Sequence, residues 1–286
     1  MDISSSVLII GCGDLGIRLA KRLQVHNWRV LGLRRTPQAS CKGIEMRALD
    51  LNAVSVEAWP CEAFDYWLYC VSADRGDEAA YRAAYVEGLR QVKAQYARAT
   101  HKPKHLLFVS STSVYGQDDG QWVDEQSLCE PANYTGKIMR EAEQLALSIG
   151  PCTVVRLAGL YDPARPWLIE QVRQGLQVAR EPVHYANRIH RDDAAALLAH
   201  LLLTHAQGLA LDEVYLGVDD APAPLYEVVQ WLRQGLGVQH ETGNGMRRRA
   251  GSKRCSNKRA RALGWAPSYP SYREGYASAL GRPEAD

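Results

Sequence analysis

Ser6-Val7-Leu8-Ile9-Ile10-Gly11-Cys12-Gly13-Asp14-Leu15-Gly16 is the stretch that decides how the chain reads. Val7 to Ile10 make a short buried strand. The glycine-rich turn then opens directly into the helical pattern Ile17-Arg18-Leu19-Ala20-Lys21-Arg22-Leu23. Gly11, Gly13 and Gly16 have the spacing of a dinucleotide-binding turn. In such a turn the first glycine permits the tight bend, the second lets backbone approach a pyrophosphate, and the third lets the helix pack close to the strand. The N–H groups that open the helix, those of Asp14, Leu15 and Gly16, attract an anion. A strand–helix turn with no ligand has the same glycines, so the motif by itself is weak; its place between strand and helix favours binding.

The second strand, Trp28-Arg29-Val30-Leu31-Gly32-Leu33, ends in Arg34-Arg35-Thr36. The end of this strand faces the adenosine ribose of a bound dinucleotide. An acid there bonds a free 2′-hydroxyl, whereas arginine accommodates a 2′-phosphate. Arg34 and Arg35 therefore point to NADP over NAD, against the alternative of two solvated surface charges. Ile44 to Leu49 reads as a third strand, followed by Asp50-Leu51. Phe64 to Val71 is a fourth, ending in the small pair Ser72-Ala73. These four end residues, with Ser110 at the end of the fifth strand, complete the expected cofactor contacts. A helical pattern runs from Asp77 to about Ala99, and His105 to Val109 is the fifth strand. Strands alternating with helices at this pace predict an α/β fold, a doubly wound parallel sheet that binds ligands outside the carboxyl ends of its strands.

With 286 residues the chain can bury a full core, and its length suits one large domain or two smaller ones. A net charge of +2 gives no global case for nucleic acid or a membrane as partner. Met1 to Ser6 lacks the basic start and apolar run of a signal peptide. The longest apolar run, Ala194 to Leu203, is broken by His200 and too short for a bilayer. Seven cysteines, scattered and never in a C-x-x-C pair, read as free thiols in a reducing cytoplasm, with no disulfide framework and no zinc site.

The fifth strand runs into Ser110-Ser111-Thr112-Ser113-Val114-Tyr115-Gly116, followed by Trp122-Val123-Asp124-Glu125 and Pro131. Val154 to Tyr161 carries an R-x-x-x-x-Y exit, and Arg188 to Asp193 an H-x-x-D segment. Arg254-Cys255-Ser256-Asn257 and Leu263-Gly264-Trp265-Ala266-Pro267 follow. In this order the segments resemble the extended short-chain dehydrogenase/reductase superfamily, the nucleotide-sugar epimerases and dehydratases, over nearly the whole chain. The resemblance implies a Rossmann-type domain at 1–162, with sheet-completing returns near 183–218. It further implies a smaller, discontinuous substrate lobe at 163–182 and 219–286. A homodimer through the helices 77–99 and 134–149 is implied as well, although Ala80, Ala83 and Ala84 suit an internal contact equally.

The same resemblance implies a tyrosine and a lysine four positions apart on one helix face, with a serine or threonine hydroxyl orienting the substrate. Thr112 stands at that hydroxyl position, where it also suits a plain strand end. Counting back from Glu141-Ala142-Glu143 puts the tyrosine position on Thr135 and the lysine position on Met139, and neither can do the chemistry. Tyr134 and Lys137, three apart, share a helix face and form a displaced candidate pair, rotated by roughly 100° from the usual one. Two functions lead, and a nucleic-acid partner bound through the basic run at 247–261 is a third, weaker reading. One is an NADP-dependent reductase- or epimerase-like enzyme on a hydroxyl/carbonyl substrate, such as a nucleotide sugar. The other is an NADP(H)-binding redox-sensing or regulatory module that has lost the chemistry. Tyr115 and His190 read as structural, and Asp192-Asp193 as a helix start. Between Arg247 and Arg261 lie eight basic residues and no acid, which read as contacts to an anionic substrate or as a solvated loop, with nucleic-acid contact left open.

Overall fold

Strand runs that are apolar on both faces need a sheet covered on both sides, which is what parallel crossovers build. The computed structural model describes residues 5–37, 43–53, 59–164, 166–242 and 251–281. Seven strands form one sheet: β1 (Ser6–Ile10), β2 (Arg29–Arg34), β3 (Glu45–Ala48), β4 (Tyr66–Tyr69), β5 (His105–Ser111), β6 (Cys152–Leu157) and β7 (Val214–Gly217). Their order is β7-β6-β5-β4-β1-β2-β3. β1 lies parallel between β2 and β4, with Ile10 opposite Leu33 on one side and Tyr69 on the other. The strand order reverses at β1, and a cleft outside the carboxyl ends follows from that reversal.

α1 (Asp14–Gln24) follows the glycine turn and buries Gly16, Leu19, Ala20 and Leu23 against the sheet. The helix expected over 77–99 consists of α2 (Glu78–Arg82), a π-helical turn at Ala83–Glu87 and α3 (Gly88–Arg98). The π turn has a local cause. The Gly88 N–H bonds the Ala83 carbonyl, which leaves the Ala84 carbonyl to accept from the Tyr69 hydroxyl of β4. Gly88 has no Cβ, and one there would collide with that same hydroxyl. A side chain has thus entered the helical ladder, one of the recognised causes of such a bulge.

α4 (Tyr134–Leu147) starts at Asn133, whose side chain accepts from the Gly136 N–H at 2.9 Å. It is tied to the sheet through Glu143, which is 0% exposed. Arg156 of β6 donates to both Glu143 oxygens at 2.8 Å, Arg140 donates at 2.8 Å, and the Ser110 hydroxyl of β5 donates at 2.7 Å. Every oxygen of this buried carboxylate is satisfied, as burial requires.

The chain divides into two compact units, residues 1–114, 130–156 and 195–215 in one, and 115–129, 157–194 and 216–286 in the other. The second unit has its own core, with Ile169, Val172, Val228, Leu232, Tyr272 and Tyr276 among its members. Within it Gln121–Val123 pairs in parallel with Lys253–Cys255. Tyr115 is buried and donates its hydroxyl to the Asp124 carbonyl at 2.7 Å. Asp193 accepts from the Ser268 and Tyr269 N–H groups, fastening the loop that leads to the last helix. Among the described residues no helix is long and apolar enough to cross a membrane. The six described cysteines are free; Cys41 lies outside the described residues.

Candidate functional site

The glycine turn divides its labour as the spacing predicts. Gly11 has φ +87°, and a Cβ there would lie 2.6 Å from the Val71 backbone nitrogen. A Cβ on Gly16 would press on Ile9 at 3.0 Å and on Cys12 at 3.2 Å, so this glycine sets the distance between α1 and β1. Gly13 differs. Its backbone is extended, and a Cβ would meet nothing nearer than the Gly11 carbonyl oxygen at 4.0 Å. Nothing within the chain needs a glycine there. What the missing Cβ leaves is clear space at the N-terminus of α1, where an anion is favoured.

That space belongs to a cleft of about 580 Å³ at the carboxyl ends of β1, β2 and β4. Of the residues expected at a cofactor, Gly11, Gly13, Arg34, Arg35, Asp50, Leu51 and Ser72 line it. Asp14, Leu15, Gly16, Ala73 and Ser110 are not on its wall. The Asp14 carboxylate pairs with Arg18 one turn along at 3.2 Å. Ser110 is turned into the buried Glu143 network. The sequence reading missed Asp74 and Arg75 and the alanines Ala79, Ala80, Ala83 and Ala84, which also line the cleft. Their small size was visible in the helical pattern; their direction was not.

The two arginines after β2 stand in different states. Arg35 makes a bidentate ion pair with Asp74, one of its contacts at 2.6 Å. The hydrogen bond to Asp74 raises the guanidinium above its ordinary value, and the same bond holds the Asp74 carboxyl below its own. Among the described residues Arg34 has no ion-pair partner. It lies on the cleft wall, half-buried, with its carbonyl accepting from Leu49 N–H at 3.0 Å. Asp50 accepts from the Asn52 N–H at 3.0 Å, closing a turn that holds Leu51 towards the cleft.

The proposed chemical residues lie at the junction of β5 and α4. Thr112 opens a single 3₁₀ turn, Thr112–Val114. Gly136 in the first turn of α4 sits directly on the Ser113 carbonyl, where a side chain would collide, so the two segments are held together. Tyr134 stacks edge-on against Tyr81 at 5.9 Å and donates its hydroxyl to the Gly76 carbonyl. Lys137 is exposed and has no partner among the described residues. Thr135 donates to the Asn133 side chain at 2.7 Å, and Met139 is 3% exposed. The two positions that count back from Glu141-Ala142-Glu143 are therefore filled by a hydroxyl in a capping bond and a buried thioether.

In the second unit four side chains of the described part of the basic run, Lys253, Arg254, Arg259 and Arg261, have partners, whereas Lys258 is exposed. Lys253 is 2% exposed, donates to the Tyr115 carbonyl at 3.2 Å and is lowered by burial. Arg254 donates to the Gly120 carbonyl at 2.7 Å and stacks on Trp122 and Tyr185. Arg259 faces Glu125 at 3.7 Å and Arg261 faces Asp220 at 3.8 Å. Arg247, Arg248 and Arg249 lie outside the described residues. Nearby, Asp219 is 1% exposed and neither of its oxygens has a hydrogen bond of good geometry. Burial pushes its carboxyl up to about 7 against the opposing pull of Arg188, whose Nη1 is also unbonded.

Residues 7–146 match the model of the NAD dependent epimerase/dehydratase family. A solved structure of a provisionally assigned NAD-dependent epimerase/dehydratase from Methylobacillus flagellatus is 33% identical, with a TM-score of 0.79, over 97% of this chain and 98% of that one. Protein YeeZ of Escherichia coli is 26% identical over 211 residues, 68% of this chain and 72% of YeeZ. MoeE5, solved with UDP-glucuronic acid and NAD, shares the fold at 21% identity and a TM-score of 0.78, over 96% of this chain and 98% of its own. The chain belongs to the NAD dependent epimerase/dehydratase family.

Proposed function

We propose that the chain binds NADP in the cleft of its first unit and acts on a hydroxyl or carbonyl substrate, a nucleotide sugar being the first class to try. The observation that carries this reading is Gly13, a glycine that packing within the chain does not require, set at a helix N-terminus on the cleft wall. A pyrophosphate on that turn would direct the adenosine ribose to the end of β2. There Arg34, with no partner among the described residues, would take a 2′-phosphate by charge-assisted hydrogen bonds. Asp50 and Leu51 would flank the adenosine, and Ser72 would lie along the dinucleotide beyond β4. Membership of a family described as NAD dependent supports a nicotinamide cofactor, and the paired arginines argue for its phosphorylated form. MoeE5, with its bound UDP-glucuronic acid, supports the substrate class.

When bound, the nicotinamide would supply or accept hydride. Thr112 would orient the substrate oxygen, and Tyr134 would hold the proton at that oxygen. Lys137 would favour the phenolate by its charge. Tyr134 must first leave the Gly76 carbonyl. That bond, together with buried Met139 at the lysine position, favours a second reading in which the protein binds NADP(H) as a redox-sensing or regulatory module.

Fluorescence titration of the purified protein with NADPH and NADH tests the binding. Micromolar NADPH binding, tighter than NADH, is expected; binding of neither removes both readings. Turnover over a panel of nucleotide sugars then separates the two. An enzyme loses turnover in Tyr134→Phe, whereas a binding module turns nothing over and binds NADPH equally well with or without that hydroxyl.

A further inference from the structure

Arg35 lies one residue beyond the end of β2, and Asp74 lies in the loop beyond β4. β1 runs between those two strands, so their ends are about 10 Å apart at the usual interstrand spacing. The Arg35–Asp74 pair therefore reaches across the end of β1, over the Gly11–Gly13 turn, and both residues line the same cleft. Both side chains are more than half exposed, at 53% and 59%, so the pair gains little from burial and can be exchanged for another partner. Asp50 also raises Arg35, so the guanidinium feels two carboxylates of the same cleft lining.

We propose that Asp74 sets the coenzyme selectivity of this cleft by competing with the 2′-phosphate of NADP for Arg35. The proposal rests on the dinucleotide reading of the cleft. With Asp74 in place Arg35 is neutralised, and the selectivity for NADP falls chiefly on Arg34. A 2′-phosphate gains the second arginine only by displacing a carboxylate and by accepting the repulsion of that carboxylate nearby. NADH carries no such phosphate and has no comparable use for Arg35. Replacing the Asp74 carboxylate by an amide removes the competitor while keeping the size of the side chain.

The experiment is a titration of wild type, Asp74→Asn and the double variant Asp74→Asn/Arg35→Gln with NADPH, NADH and 2′,5′-ADP. All the substituted side chains are exposed, and thermal melts verify that the variants fold. Asp74→Asn is expected to tighten NADPH and 2′,5′-ADP by about tenfold, the size of an exposed ion pair plus a removed repulsion. NADH should change by less than about threefold, because its pyrophosphate feels the lost charge more distantly. The double variant should lose the gain. Equal gains for NADPH and NADH, or a gain that survives loss of Arg35, overturn the proposal while leaving the cofactor reading intact. Failure of the wild type to bind either dinucleotide overturns the cofactor reading and the proposal with it.

Discussion

Glu143 in the first unit and Asp219 in the second are both buried carboxylates, and they are served in opposite ways. Glu143 accepts from two arginines and a serine, each at normal length. Asp219 has Arg188 and the Ala221 backbone N–H nearby, both pulling its carboxyl down, but no hydrogen bond of good geometry on either oxygen. Burial alone therefore says nothing about what an acid does for a fold. A carboxylate with its donors in place fixes α4 on β5 and β6, and so fixes where Tyr134, Lys137 and Thr112 stand. A carboxylate without them stays protonated into the neutral range, which makes it a liability as pH rises.

The largest effect is expected at Glu143. Glu143→Ala leaves Arg156 buried without its partner, and urea unfolding should record a loss of about 3–5 kcal/mol. A loss under about 1 kcal/mol would mean that the network is not what holds α4. Asp219→Asn should move stability the other way above neutrality. Its folded-state value is raised to about 7 from 3.8, so its contribution is complete below about pH 4 and is lost as pH rises through 7. The asparagine variant should remove that slope and gain up to about 4 kcal/mol at pH 8, three pKa units being the upper bound. His105 in the first unit gives the opposite slope. Burial and then His205 lower it to about 4, so its contribution is present above about pH 6.5 and is lost as pH falls through 4. The two slopes share the window from about pH 4 to 7 and oppose each other there, so Asp219→Asn should unmask a rise of stability with pH across that window that the wild type largely lacks.

Smaller effects sharpen the contrast between the buried networks and the open cleft. Arg34→Gln should weaken NADPH by about 10- to 100-fold, the worth of one charge-assisted contact, with NADH almost unchanged. Its melting temperature should hardly move, since among the described residues Arg34 pairs with nothing. Tyr134→Phe removes one hydroxyl bond to the Gly76 carbonyl and should cost stability only about 1 kcal/mol.

Much of the first unit was legible in the sequence. Most of its strands are apolar runs, β3 with Glu45 and Arg47 excepted, its glycines punctuate them, and Arg34 falls at a spacing fixed by the strand–helix–strand unit. What stayed hidden depends on pairs distant in sequence. Asp74 meets Arg35 across 39 positions, and no local pattern records that. The π turn arises because a tyrosine of β4 reaches into a helix whose own periodicity looks ordinary. Glu143 was counted as part of a helix motif, yet two of its three partners, Ser110 and Arg156, come from strands distant in sequence. The basic run from Arg247 to Arg261 reads as solvated by composition, but Lys253 is buried, because strand pairing with Gln121–Val123 carries it inward. The junction of Thr112 and α4 was placed by resemblance, and its close contact through Gly136 needed the fold.

The central claim is that the space left by Gly13 belongs to a dinucleotide, and Gly13→Ala tests it. An added methyl meets no packing atom in the chain and the backbone there is extended; Gly13 is the N-cap of α1, where alanine is the poorer residue by about 1 kcal/mol, so the melting temperature should fall by no more than about 2–4 °C. Titrated with NADPH, the variant should bind at least about tenfold more weakly than wild type, because the methyl occupies the approach to the pyrophosphate. A folded Gly13→Ala protein that binds NADPH as tightly as wild type would contradict the account.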